Sequence, residues 1–235
     1  MALTVRDLMK LQCFNYLELI AGQKGLERKV SGMGIVDYEL MPEFVEEYLQ
    51  TFSSGDFVLC SFLYQYCREK PEEILPMVKT LYHHGIAGIG YKTVLYPELP
   101  QEVLDFADQN NFPIFRFGRE IYYENLVYEI SDALRTDDRN LLTAENISQM
   151  MAETLPPNRI YSIAKNLSID FKDWTVAAYL SSKDEDFRAR MERSGKNLYL
   201  NRNIGDKAML VPYHDGVFML LTAAKNDSKT FQIIL

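Results

Sequence analysis

Residues 86–117 read IAGIGYKTVLYPELPQEVLDFADQNNFPIFRF, and the fold turns on this stretch. Ile86 to Tyr91 is a run of small and apolar residues of strand length. From Pro100 to about Gln109, Val103, Leu104 and Phe106 fall at helical spacing, and Asn110-Asn111 closes that helix. Pro113-Ile114-Phe115-Arg116-Phe117 is a second strand-like run. Strand, helix and strand at this spacing predict a βαβ unit and hence parallel strands.

The alternation continues upstream. Phe57-Val58-Leu59-Cys60-Ser61-Phe62-Leu63 is continuously apolar, which predicts a strand covered on both faces. A helix opened by Pro71 comes next, with Ile74, Leu75, Val78, Leu81 and Tyr82 as its buried stripe and Gly85 as its stop. Val30 to Val36 reads as a further strand ending at Asp37, and Leu40 to Phe52 as a helix with Pro42 in its first turn. Thr4 and Asp7 have capping-box spacing for a short helix from Thr4 to Leu11, and Gly22 and Gly25 mark a turn. The expected fold class is α/β, with a mostly parallel βαβ sheet domain over residues 1–120.

A helical connector is expected over residues 121–157. Leu126, Val127, Ile130, Ala133 and Leu134 form its first stripe, and Leu141, Leu142, Ile147, Met150 and Met151 resume it. One long helix, or two with a break near Asp138, both fit; Pro156-Pro157 ends the pattern. Val127, Leu134 and Leu141 are heptad-spaced. They read either as a seam between two subunits, passing a change in the first domain onward, or as packing against the domain's own sheet.

Residues 158–235 read as a smaller α+β piece. It has a helix from Arg159 to Leu167, a strand from Trp174 to Leu180 and a charged helix from Asp184 to Ser194. A hairpin joins Lys207–Val211 to Val217–Thr222 around Asp215-Gly216, and Phe231–Leu235 is again apolar. That core is thin, so a domain cut short is expected.

Composition narrows the function classes. With 235 residues, 47% hydrophobic and 25% charged, the chain is of ordinary globular make-up. The net charge is −8, made of −9 in residues 1–137 and +1 in residues 138–235. An acidic surface repels phosphate, so nucleic-acid binding by these residues is not expected. Three cysteines at unpaired spacing, Cys13, Cys60 and Cys67, fit reduced thiols. No signal peptide and no membrane-length apolar run is recognisable, so a soluble cytoplasmic protein with no membrane partner is expected.

The first 135 residues resemble the N-terminal domain of PucR-type (purine catabolism regulator) bacterial transcription factors. The resemblance rests on Leu3-Thr4-Val5-Arg6-Asp7-Leu8-Met9 and on the run from Ala21 to Val30. It rests equally on Gly55-Asp56, on Gly85-Ile86-Ala87-Gly88-Ile89-Gly90 and on Phe112-Pro113-Ile114-Phe115. From about Asn158 the chain is similar to the GGDEF-like domain that comes next in such regulators. There the matching pieces are Asn166-Leu167-Ser168-Ile169-Asp170, the Trp174 strand and Val211-Pro212-Tyr213-His214-Asp215-Gly216. The chain lacks the Gly-Gly-Asp-Glu-Phe signature, so this part is expected to be non-catalytic. The resemblance implies a sensory and coupling fragment whose helix-turn-helix lies beyond Leu235. It also implies a small-molecule effector, a purine-pathway metabolite among the candidates, and a homodimer.

Chemical motifs narrow the choice further. Gly32-Met33-Gly34 has Asp37 where a dinucleotide loop needs its third glycine, and Gly85, Gly88 and Gly90 are wrongly spaced. His83-His84 has no companion ligands nearby and suits a helix C-terminus, where imidazoles complement the dipole. Cys60 and Ser61 have no recognisable base partner, so packing is the first reading, with a pocket-lining role second. No catalytic residue, metal or cofactor is expected. The ionisable residues gather where parallel strands end: Asp37, Ser61, Lys92, Arg116, Arg119 and Glu120. Open parallel sheets bind ligands beyond these ends. In that reading Arg119 or Lys92 pairs an anionic group and Asp37 accepts from an N–H; in the alternative they are solvated loop charges. Tyr64, Tyr66, Tyr122 and Tyr123 stand near the same loops. Two rival functions remain open: an enzyme of small molecules on a doubly wound sheet, and a pure protein interaction module.

Overall fold

The computed structural model describes residues 3–36, 49–152, 154–167, 172–182, 187, 190–191 and 207–224. The expected helix from Leu40 to Phe52 lies almost wholly outside the described residues, as do most of Asp184–Ser194 and all of Phe231–Leu235. The chain divides into two compact units, residues 1–137 and 138–235.

The first unit is mixed α/β around a five-stranded sheet. Its strands are β1 (Leu17–Ala21), β2 (Gly32–Ile35), β3 (Asp56–Cys60), β4 (Gly88–Lys92) and β5 (Ile114–Phe117), in the order β1-β5-β4-β3-β2. β2, β3, β4 and β5 are mutually parallel. β1 closes the far edge antiparallel to β5, pairing Leu17 with Phe117 and Glu18 with Arg116. This edge strand is not among the elements expected from sequence. It is only five residues long, and its alternation of Leu17 and Leu19 with Glu18 is brief.

All five residues of β3 are buried, because both faces of the sheet are covered. Val58, Cys60, Ile89, Tyr91 and Ile114 face one layer. That layer is closed by α3 (Ile74–His83) through Ile74, Met77, Val78 and Leu81, and by α4 (Gln101–Gln109) through Val103 and Ala107. Between β3 and α3 lies the short α2 (Leu63–Cys67), entered through Phe62 in the left-handed conformation. Gly85, at φ +89°, ends the α3 segment where a side chain would be strained.

Phe57, Leu59, Phe115 and Phe117 face the opposite layer. There Phe14 meets Phe57 and Phe115 with ring centroids 5.8 and 5.5 Å apart. Gly90 makes room for this aromatic cluster, since a Cβ there would stand 3.1 Å from the Leu59 side chain. The layer is closed by α1 (Val5–Leu8) and by the first half of α5 (Tyr123–Ala152), through Leu126 and Ile130. Thr4 caps α1 as expected, in a reciprocal capping box with Asp7. Two α5 carboxylates accept backbone N–H groups from the N-terminal segment: Glu129 from Cys13 at 3.0 Å and Asp137 from Leu3 at 3.2 Å.

α5 runs unbroken for 30 residues, so the alternative of a break near Asp138 is excluded. Val127 and Leu134 pack against the second layer of their own sheet, while Leu141 is 38% exposed.

The second unit holds a three-stranded antiparallel sheet in the order β6-β8-β7, made of β6 (Trp174–Ser181), β7 (Ala208–Tyr213) and β8 (Gly216–Ala223). α6 (Pro157–Asn166) starts at a proline in its first position. Ile147, Leu167, Met209, Val211 and Leu220 form its small core. The hairpin is where the sequence predicts it, but its centre differs. Tyr213 pairs with Gly216, so the turn residues are His214 and Asp215, with His214 at φ 49°. The Asp215 carboxylate accepts the Tyr179 hydroxyl at 2.7 Å, which ties the turn to β6. Among the described residues no helix is long and apolar enough to cross a membrane.

Candidate functional site

Parallel strands leave their carboxyl ends along one edge, and the loops leaving that edge diverge. Here β3 ends at Cys60, β4 at Lys92 and β5 at Phe117. In-register neighbours on adjacent strands point to the same face. The pairings Glu18–Arg116, Arg116–Tyr91 and Tyr91–Cys60 therefore make one row of polar side chains across the sheet. This row tops the apolar layer beneath α3 and α4.

At the β1–β5 end of the row is a cleft of about 300 Å³, lined by Tyr16, Glu18, Thr93, Pro97, Arg116, Phe117, Gly118 and Glu120. Arg116 sends Nε and Nη2 to one Glu18 carboxylate oxygen, at 2.9 and 2.8 Å. That hydrogen bond holds the Arg116 guanidinium above its usual range, with burial opposing. Thr93 fixes the cleft wall by donating its N–H (2.9 Å) and hydroxyl (3.2 Å) to the Phe117 carbonyl. Glu120 folds back to accept the Gly118 N–H at 3.0 Å.

Of the residues expected from sequence, Arg116 and Glu120 meet in this cleft. Lys92 turns away from it: its ammonium donates to the Ile121 carbonyl at 3.1 Å and lies 5.3 and 5.4 Å from the Tyr122 and Tyr123 ring centres. Arg119 is exposed and does not line the cleft. Ser61 is half-buried at the end of β3, also away from the cleft lining. Asp37 lies outside the described residues. Tyr66 meets Tyr96 edge-on at 6.0 Å, and Tyr64 accepts a hydrogen bond from Arg68.

Sequence reasoning missed Glu18, Thr93 and Tyr91. Tyr91 is fully buried, and its hydroxyl has no hydrogen-bond partner among the described residues. Burial pushes its phenol up to about 12, with Arg116 opposing. The signal for it was there: a tyrosine directly after Gly88, Ile89 and Gly90 in a buried strand.

The other reactive groups have structural settings. His83 Nδ1 donates to the Lys79 carbonyl of its own helix at 2.7 Å, the role expected at a helix end, whereas His84 Nε2 donates to the Phe52 carbonyl of another segment at 2.8 Å. The Cys13 thiol is pushed up to about 12 by burial and by Glu129. Among the described residues no group of three or more His, Cys, Asp or Glu is arranged to hold a metal ion.

Comparison with known proteins agrees with the sequence resemblance for the first unit. The model of the purine catabolism regulatory protein-like family matches residues 7–134. A curated relative, the purine catabolism regulatory protein of Bacillus subtilis (strain 168), is 29% identical over 126 residues. The match covers 53% of this chain and 22% of that relative, so it spans about a fifth of the relative's length. The family match takes in the whole five-stranded sheet and α5 as far as Leu134, and with them every residue that lines the cleft. The chain belongs to the purine catabolism regulatory protein-like family.

Proposed function

We propose that this chain is the sensory and coupling part of a cytoplasmic bacterial transcriptional regulator. In this reading residues 1–120 receive a small-molecule effector, residues 121–157 couple it to the C-terminal part, and residues 158–235 belong to a non-catalytic GGDEF-like module. A helix-turn-helix further along the full-length protein binds the promoter. The name of the Bacillus subtilis relative refers to purine catabolism; by extension the effector is a purine-pathway metabolite. The heptad spacing of Val127, Leu134 and Leu141 makes the working form a homodimer in this reading.

The observation that carries this reading is the cleft at the carboxyl edge of β4 and β5, lined by Arg116 and Glu120, in a chain of a regulatory family. Its volume of about 300 Å³ is at the small end of ligand pockets. The mechanism is a population shift, in which the effector binds one arrangement of the coupling helix better than another. α5 supports this role, because its first half is tied to the N-terminal segment through Glu129 and Asp137.

A thermal-shift screen of the 235-residue chain against purine-pathway and other small metabolites, with chromatography of each mixture, tests the reading. Saturable stabilisation without conversion of the compound is the expected result. Conversion would make the protein an enzyme, and silence towards every compound would make it an interaction module.

A further inference from the structure

β6 is an edge strand with nothing to guard it. The sheet order β6-β8-β7 gives it a neighbour on one side only among the described residues. Soluble proteins blunt such edges with charges, a proline, a bulge or a short strand, because an open row of N–H and C=O groups pairs with any strand that fits. β6 has none of these. Its residues, Trp174-Thr175-Val176-Ala177-Ala178-Tyr179-Leu180-Ser181, carry no charge and no proline, and they pair with β8 without a shift in register. Both faces are open as well. Trp174 and Val176 on one face are 55% and 45% exposed, and Tyr179 on the other is 42% exposed.

The pairing fixes which backbone groups of β6 are left over. Tyr213 faces Gly216 across a two-residue turn, and the pair closing such a turn exchanges its hydrogen bonds. In step with it, the Thr222 N–H donates to the Lys207 carbonyl at 2.8 Å. Even-numbered residues of β8 thus turn toward β7, and Val217, Met219, Leu221 and Ala223 turn toward β6. Their partners Leu180, Ala178, Val176 and Trp174 bond to β8. Thr175, Ala177, Tyr179 and Ser181 therefore direct their N–H and C=O groups outward.

We propose that this edge pairs with β6 of a second copy, antiparallel about a two-fold axis at Ala178, so that the two sheets join into one. A two-fold axis normal to the sheet keeps each residue on its own face, so odd positions meet odd and even meet even. Centred on Ala178, it sets Thr175 opposite the partner's Ser181 and Ala177 opposite the partner's Tyr179, which uses every outward residue. Centred on Ala177, it would leave Ser181 over. Between these pairs Ala178 meets its own copy and Val176 meets the partner's Leu180, small or apolar side chains where the strands come closest. No charge meets its like along the strand. Residues 138–235 sum to +1 against −9 for residues 1–137, so this is the unit whose copies repel each other less. The proposal rests on the homodimer reading and gives it a seam other than α5, where Val127 and Leu134 are taken up by their own sheet.

Sedimentation equilibrium of the 235-residue chain, with hydrogen exchange of a peptide covering residues 174–181 at the same concentrations, tests this. The mass is expected to rise with concentration and stop at two copies, and exchange in the peptide to slow with it. Ala177→Pro removes an outward N–H that β8 does not use, so it spares the β6–β8 ladder and is expected to weaken association about tenfold with circular dichroism unchanged. In a Cys67→Ser chain, which lacks the exposed thiol, Ala178→Cys is expected to oxidise to a linked dimer and Ala177→Cys is not. Only position 178 faces itself across the axis, at the roughly 4.5 Å Cα separation a disulfide can span. Should Ala177→Pro unfold, the cysteine pair decides. The proposal is overturned if the chain stays monomeric at every concentration, with its β6 amides either exchanging fast or protected by its own chain. It is overturned equally if folded Ala177→Pro associates like the parent, or if Ala177→Cys cross-links as well as Ala178→Cys. A dimer lost in Leu141→Asp but kept in Ala177→Pro would overturn it while leaving the homodimer reading in place, with its seam on α5.

Discussion

Replacing Tyr91 by phenylalanine should stabilise the first unit. Tyrosine-to-phenylalanine changes at hydrogen-bonded sites normally cost about 0.5–1.5 kcal/mol. Tyr91 is different, because its hydroxyl is buried and meets no partner among the described residues. An unsatisfied buried hydroxyl costs about 1–3 kcal/mol, and deleting it recovers part of that. The ring keeps its place, packed 5.7 Å from Phe62 centre to centre. A gain of about 1 kcal/mol, with a urea dependence of about 2 kcal/mol per molar, raises the midpoint by roughly 0.5 M. The single tryptophan, Trp174, lies in the second unit and would report the wrong transition. Hydrogen exchange of peptides covering residues 86–117, followed through a urea series, reads the correct one. The effect also has a pH signature. Burial raises the phenol to about 12 in the folded state, against its ordinary value of 10. Between these values the folded chain holds a proton that the unfolded chain releases, so the parent loses stability as pH rises. Tyr91→Phe lacks this slope, so its advantage should widen from pH 9 to pH 11. A less stable variant, or an advantage indifferent to alkaline pH, would refute the orphaned hydroxyl.

Four further outcomes are expected. Thr4→Ala should lower stability by about 1 kcal/mol at pH 7 by breaking the capping box. Burial raises the Asp7 carboxyl, but hydrogen bonds from Lys10 and Thr4 outweigh it and hold the group below its usual range. Its contribution is therefore lost as pH falls through that lowered value, and urea titrations at pH 7 and pH 2 should show the Thr4→Ala deficit shrinking in acid. Phe57→Ala should cost about 3–5 kcal/mol, seen as a lowered melting temperature, because its ring is fully buried against Phe14 and Phe115. Iodoacetamide at pH 8 should label exposed Cys67 in the folded protein and reach Cys13 only after denaturation, as read by peptide mass spectrometry. If α5 is a subunit seam, Leu141→Asp, at an exposed position of the helix, should lower the sedimentation coefficient of the self-associated form, and an unchanged coefficient would remove the seam.

Much of the first unit was legible in the chain order of its residues. Buried parallel strands advertise themselves as continuous apolar runs, as in Phe57 to Cys60, and helices between them as 3.6-residue stripes, as in Ile74 to Leu81. These are local signals, and the α/β class with its parallel β2–β5 comes from them. Local signals also placed Arg116 and Glu120 near a carboxyl edge. They could not place Glu18, which meets Arg116 across 98 residues of sequence because an antiparallel edge strand brings it there. Nor could they separate Lys92, drawn onto the Ile121 carbonyl and two tyrosine rings, from residues that line the cleft.

Residue order alone therefore determined which segments form strands and helices, because burial periodicity is written into neighbouring positions. Tertiary structure alone decided which side chains share the cleft and left the Tyr91 hydroxyl without a partner among the described residues. Strand register pairs residues far apart in the chain, and no local pattern encodes a register set by packing across the whole sheet.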